Sequence, residues 1–145
     1  MQIKNFNNIQ LDNITSVASF ILEQIEIKLS KYNNIIIKLN GNLGSGKTTL
    51  VKEILALNSN DNITSPSFSL VNEYSGKFKI IHIDFYRINN IEELYDIGLT
   101  DYFLEENTIV FIEWSELYPD LIPENSWEIT IEYNNNLRNY KFVYE

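Results

Sequence analysis

Gly41-Asn42-Leu43-Gly44-Ser45-Gly46-Lys47-Thr48 fits G-x-x-x-x-G-K-S/T, the loop with which many nucleotidases and kinases cradle phosphates. Its flanks decide the fold. Ile35-Ile36-Ile37-Lys38-Leu39, just upstream, is an apolar run of strand length and reads as a buried strand. Thr48 to Leu57, just downstream, is compatible with a helix. Strand, Gly-rich loop and helix in this order open an α/β phosphate-loop fold. The residue types suit the chemistry. Gly41, Gly44 and Gly46 allow positive φ and a close backbone approach. The exposed amides and the helix N-terminus favour anions. Lys47 brings a point charge to the β- and γ-phosphates, and the Thr48 hydroxyl is placed for Mg²⁺. A Gly-rich turn could carry G-K-T by chance; the strand in front argues for nucleoside triphosphate binding.

Outward from this unit, helical spacing of Val17, Phe20, Ile21, Ile25 and Leu29 predicts a helix over about 13–30, with N-cap chemistry at Asp12-Asn13-Ile14-Thr15. Gln2 to Phe6 reads as a short edge strand. Asn58 to Asn62 reads as a polar loop. Phe68–Tyr74 and Phe78–Phe85 read as two strands around a Ser75-Gly76-Lys77 turn. Ile91–Ile97 reads as a short helix stopped by Gly98, with a further helical turn near Asp101–Glu106. Thr108–Ile112 is a buried strand, and Trp127–Tyr133 with Leu137–Tyr144 form a final hairpin. The expected architecture is a phosphate-loop NTPase-like mixed sheet with flanking helices and a C-terminal β-hairpin, in one domain spanning 1–145.

Composition narrows the classes. The chain has 145 residues, 44% of them hydrophobic and 21% charged, ordinary for a globular domain with one core. A net charge of −9 argues against gripping nucleic acid through the chain's own basic surface. It suits docking on a basic partner. The absence of cysteine excludes disulfides, zinc thiolates and a thiol nucleophile. No apolar run approaches the ~18 residues of a membrane span, and Met1 to Phe6 shows no secretory pattern. The expected location is the cytoplasm.

Three more stretches bear on the chemistry. Ile109-Val110-Phe111-Ile112-Glu113 is an apolar strand ending in a carboxylate, the form of a Walker B strand whose acid holds Mg²⁺ directly or through water. A plain acidic residue at a strand end would look the same. In His82-Ile83-Asp84-Phe85-Tyr86-Arg87, strand alternation places His82, Asp84 and Tyr86 on one face. Such a face is either a polar site or the solvated side of a hairpin. Thr64-Ser65-Pro66-Ser67-Phe68-Ser69 follows the first helix where hydroxyl-bearing switch segments sit, although a simple Ser/Pro loop is also consistent with it.

Together G-N-L-G-S-G-K-T, S-P-S-F, H-I-D-F-Y-R and I-E-W, in this order, resemble the bacterial TsaE (YjeE) family. These are small ATPases that support threonylcarbamoyladenosine synthesis at position 37 of tRNA. The resemblance runs from about Asp12 to Tyr133. It implies that the nucleotide is bound by Gly41, Asn42, Leu43, Gly44, Ser45, Gly46, Lys47, Thr48 and Thr49, with Ser67 in the switch loop, Trp114 beside the site and Asp12 near the base. It implies Mg²⁺ at Thr48 and Glu113, and catalytic roles for Lys47, Asp84 and Glu113. Tyr86 and Arg87 complete the signature without an assigned role. The implied partner is the TsaB–TsaD heterodimer, with tRNA contacted through the assembly. The sequence departs from the family's usual G-D-L-G-A-G-K-T at Asn42 and Ser45, and Ser67 stands for its usual threonine. It ends soon after the last hairpin, so a longer family tail is expected to be absent.

Arg87 and Arg138 are the only arginines, and neither is an obvious finger for hydrolysis. Low intrinsic ATPase activity, raised by partners, is therefore expected. Two rival functions share the loop. A small-molecule kinase would need an Arg-rich lid and acceptor site, for which two arginines are few. A nucleotide-sensing module without turnover would not need both Asp84 and Glu113.

Overall fold

The computed structural model describes residues 1–59 and 70–145. Seven strands form a mixed sheet: β1 (Gln2–Ile9), β2 (Asn34–Asn40), β3 (Val71–Tyr74), β4 (Lys79–Asp84), β5 (Thr108–Glu113), β6 (Trp127–Asn134) and β7 (Leu137–Tyr144). Their order is β1-β7-β6-β2-β5-β4-β3. β2 runs parallel to both β5 and β6, and β4 runs parallel to β5. The outer strands β1, β7 and β3 pair antiparallel. The centre is the most apolar part: every residue of β5 is buried, as parallel strands covered on both faces require.

Helices α1 (Ile14–Leu29) and α2 (Lys47–Asn58) cover one face. α1 buries Ile14, Val17, Ala18, Ile21 and Ile25 at helical spacing, against Ile35, Ile37 and Leu39 of β2. Phe20 packs edge-on against Phe6, Phe142 and Tyr144. The short helices α3 (Ile91–Asp96) and α4 (Leu99–Tyr102) cover the other face, where Leu94 and Leu99 join Ile81, Ile83, Val110 and Ile112.

The sequence reading and the structure differ locally. The Asn13 N-cap makes no side-chain capping bond. Gly98, at φ +75°, ends α3 and also opens α4, which lies earlier than the expected 101–106. Asn58, read as loop, is the buried last residue of α2. Its amide donates to the Phe78 carbonyl at 2.9 Å, and its side-chain oxygen accepts the Phe78 N–H at 3.0 Å. A Cβ at Gly76 would run into the Asn58 carbonyl, so glycine is needed there for close approach. The expected strand start at Phe68 lies outside the described residues.

Candidate functional site

The site lies at the carboxyl ends of β2, β5 and β4, where open α/β sheets hold ligands. β2 ends at Asn40, and α2 opens at Lys47 directly behind Gly46. Gly44 and Gly46 take φ of +77° and +108°. The Ser45 N–H donates to the Asn42 carbonyl at 3.0 Å and closes the turn. Lys47 is only 5% exposed. Its ammonium donates to the Gly41 carbonyl at 2.6 Å and sits 3.9 Å from the centre of the Trp114 ring.

Sheet register delivers the carboxylates. Glu113, at the end of β5, stands opposite Leu39 on one side and Asp84 on the other. Its side chain accepts from the Thr48 hydroxyl at 3.3 Å and bonds His82 Nε2 at 2.6 Å. His82 and Asp84 share the face of β4 that carries Ile80, which belongs to the core beneath α1 and α2. They therefore point to the loop side of the sheet, beneath α1 and α2, and not to the solvated side of a hairpin.

Tyr86 does not share that face. The Asp84 carboxylate accepts the Tyr86 N–H at 3.0 Å, ends β4 and starts a 3₁₀ turn over Phe85–Arg87. Phe85 turns into the core, and Tyr86 swings out onto Trp114, ring centres 5.1 Å apart. Trp114 itself is left-handed, at φ +59°. That is a costly conformation for a bulky residue and a common one at functional sites. Burial, followed by the Glu113 charge, raises the Asp84 carboxyl above its ordinary value, although the Tyr86 N–H, Arg87 and His82 oppose the shift.

Two cavities flank the loop. One, about 250 Å³, is lined by Asn42 through Thr49 with Asp84, Tyr86, Glu113, Trp114 and Arg138. The other, about 430 Å³, runs along Gly41, Asn42, Leu43 and Ser45 to Thr130–Tyr133 at the end of β6. The structure thus gathers Gly41 to Thr49, Asp84, Glu113 and Trp114. It does not bring in Asp12, which is exposed in a 3₁₀ turn and lines neither cavity. Ser67, with Ser65 and Pro66, lies outside the described residues.

Arg138 is the residue that the sequence reading missed. Its Nε donates to the Ser45 carbonyl at 2.8 Å, and its guanidinium lies over the Tyr133 ring at 4.8 Å. The signal was topological: β6 lies beside β2, so the start of β7, paired Tyr133 to Arg138, falls next to the loop.

The sequence profile of the family described as threonylcarbamoyl adenosine biosynthesis protein TsaE matches residues 11–140. The chain belongs to the TsaE family. It is similar to the tRNA threonylcarbamoyladenosine biosynthesis protein TsaE of Haemophilus influenzae, at 38% identity over 122 residues, 83% of this chain and 77% of that one. The TsaE of Rickettsia prowazekii is also 38% identical, over 71% of this chain and 72% of its own. A crystal structure of YdiB from Bacillus subtilis superposes at a TM-score of 0.72 and 22% identity, covering 99% of this chain and 86% of that one, and so shares the fold. The TsaE family is named for its part in threonylcarbamoyladenosine biosynthesis. Among the described residues no helix of this TsaE chain is long and apolar enough to cross a membrane.

Proposed function

We propose that the chain is a Mg²⁺-dependent ATPase whose turnover is gated by a TsaB–TsaD heterodimer and serves threonylcarbamoyladenosine modification of tRNA position 37. One observation carries this reading. The adjacent Lys47 and Thr48 and the sequence-distant Asp84 and Glu113 converge around the cavity beneath the phosphate loop.

The donor set fits a hard cation: the Thr48 hydroxyl and the Glu113 carboxylate are 3.3 Å apart and both are oxygen ligands. Among the described residues no group of three or more His, Cys, Asp or Glu makes a self-sufficient metal site. That suits Mg²⁺, which keeps waters and shares its shell with substrate phosphates. When bound, it would neutralise charge on the β- and γ-phosphate oxygens.

The chain's own groups do the rest. Loop amides and the start of α2 hold the phosphates, and Lys47 leaves the Gly41 carbonyl and Trp114 ring to reach them. The Ser45 hydroxyl, buried and without a partner among the described residues, is a polar group that a bound ligand can satisfy. Asp84, which lines the same cavity as the loop, would face the γ-phosphate and orient the attacking water. The water oxygen would bond to phosphorus as the bond to the bridging oxygen breaks; ADP leaves with that bond's electrons, and the water's protons pass to the released phosphate and to solvent. Arg138 is already engaged by the Ser45 carbonyl, consistent with a finger supplied from outside the chain. The −9 charge leaves tRNA binding to the assembly. ATP turnover by the purified chain, alone and with TsaB–TsaD, tests the proposal. The rate is expected to be low alone, to rise with the partners and to vanish in Lys47→Ala. Equal rates with and without partners would refute gating.

A further inference from the structure

His82 is the chain's only histidine, and the phosphate chemistry above gives it no part. Its surroundings do. Asp84 and Glu113 stand side by side at the ends of adjacent parallel strands. Two carboxylates at the mouth of a site for a polyanion must be kept in distinct roles, and the chain gives each its own partners. Asp84 accepts the Tyr86 N–H at 3.0 Å and faces Arg87 at 3.7 Å. Glu113 bonds His82 at 2.6 Å and accepts from Thr48 at 3.3 Å.

The His82 and Glu113 side chains are 11% and 5% exposed, so little water competes for their hydrogen bond. An ionised carboxylate only accepts, so Nε2 carries the hydrogen and donates it. The bond ends on Oε2. Held there, the carboxylate cannot rotate freely: the Thr48 hydroxyl lies 3.3 Å from both oxygens, and Oε1 is the one that His82 leaves open beside it. The Thr48 contact is too long to fix the carboxylate alone.

We propose that His82 is a positioning residue for Glu113: its Nε2–H pins one carboxylate oxygen so that the other, with the Thr48 hydroxyl, is presented to the divalent cation. His82 thereby makes Glu113, and not Asp84, the cation-side carboxylate. The inference rests on reading Glu113 as the cation partner. It also explains the H-x-D-x-Y-R stretch as one device. Its histidine orients the acid of the neighbouring strand, its aspartate and arginine pair with each other, and its tyrosine packs on Trp114. A histidine that merely filled space under α2 would be replaceable by an apolar side chain; an orienting one is not.

With a single histidine, the imidazole ¹⁵N signals need no assignment. Without Mg²⁺, the wild type should show a hydrogen on Nε2, with a far-downfield proton that moves upfield in Glu113→Gln. The Mg²⁺ concentration for half-maximal ATP turnover, and ADP affinity in EDTA, are then measured for wild type, His82→Leu, His82→Gln and Glu113→Gln. His82→Leu should raise the Mg²⁺ requirement about tenfold or more, the usual effect of losing a residue that orients a metal ligand. ADP affinity in EDTA should stay within about twofold. His82→Gln, with an amide donor at similar reach, should recover part of the loss. A neutral ring with its hydrogen on Nδ1, or a resonance indifferent to Glu113→Gln, overturns the proposal. So does a raised Mg²⁺ requirement in Glu113→Gln with none in His82→Leu, or a parallel loss of ADP affinity in EDTA. An unchanged Mg²⁺ requirement in Glu113→Gln overturns the reading of Glu113 itself. If His82→Leu does not fold, the imidazole signals and His82→Gln decide the matter.

Discussion

Replacing Gly46 by alanine tests how the phosphate loop is held. Gly46 adopts φ +108°, and a Cβ there would lie 2.8 Å from Arg138 Nε, which is itself 2.8 Å from the Ser45 carbonyl. Two costs follow. An L-residue in this left-handed region costs about 1–2 kcal/mol. Displacing the guanidinium sacrifices a hydrogen bond to a charged donor, about 1.5–3 kcal/mol. Together they oppose the native loop by roughly 2.5–5 kcal/mol. At 1.4 kcal/mol per tenfold, ADP affinity should fall by roughly two to three and a half orders of magnitude. Calorimetric ADP titration measures this, and thermal unfolding reports any share paid by the fold. A double-mutant cycle separates the two costs. In an Arg138→Ala background the bond is already gone, so Gly46→Ala should cost only the backbone share. The pair should therefore be non-additive by about 1.5–3 kcal/mol. Costs that add to within about 0.5 kcal/mol would show that Arg138 does not rest against Gly46.

Two further substitutions probe other parts of the molecule. The Asp84 carboxyl is raised by burial and by Glu113, so its ionised form opposes folding. Below the unfolded value near 3.9 that penalty is absent, and it develops as pH rises through the native value. In thermal melts without nucleotide, Asp84→Asn should be the more stable protein at pH 7, with the gap closing towards about pH 4. A less stable mutant at pH 7 would mean that the Tyr86 N–H and Arg87 outweigh the burial. Asn58→Ala strips both hydrogen bonds from the Phe78 main chain and leaves buried groups unpaired. A loss of about 2–4 kcal/mol, roughly 6–12 °C in Tm, is expected. An unchanged Tm would refute the clamp.

What could be read from the sequence follows the range of the interactions involved. The phosphate loop is encoded within eight consecutive residues, because each glycine and Lys47-Thr48 act on their immediate neighbours. β5 was legible because a doubly covered parallel strand must be apolar throughout, and all its residues are buried. The alternation of His82 and Asp84 held only as far as the strand did. It failed at Tyr86 because the Asp84 side chain captures the Tyr86 N–H and turns the chain, a local competition that a period-two pattern cannot register. Asn58 was misread because a buried asparagine bonded to main chain looks, in sequence, like the polar loop that follows it. Arg138 was missed for a different reason. It reaches Ser45 across 93 residues, and only the placement of β6 beside β2 makes them neighbours. The site therefore has a half written in a local motif and a half written in strand order: Thr48 meets Glu113 across 65 residues, and His82 meets Glu113 across 31. The first half is the sequence pattern of a phosphate-cradling loop. The second half sets which carboxylate turns to the loop and what supports the loop from behind, so substitutions on β4 and β7 should alter the site without touching its motif.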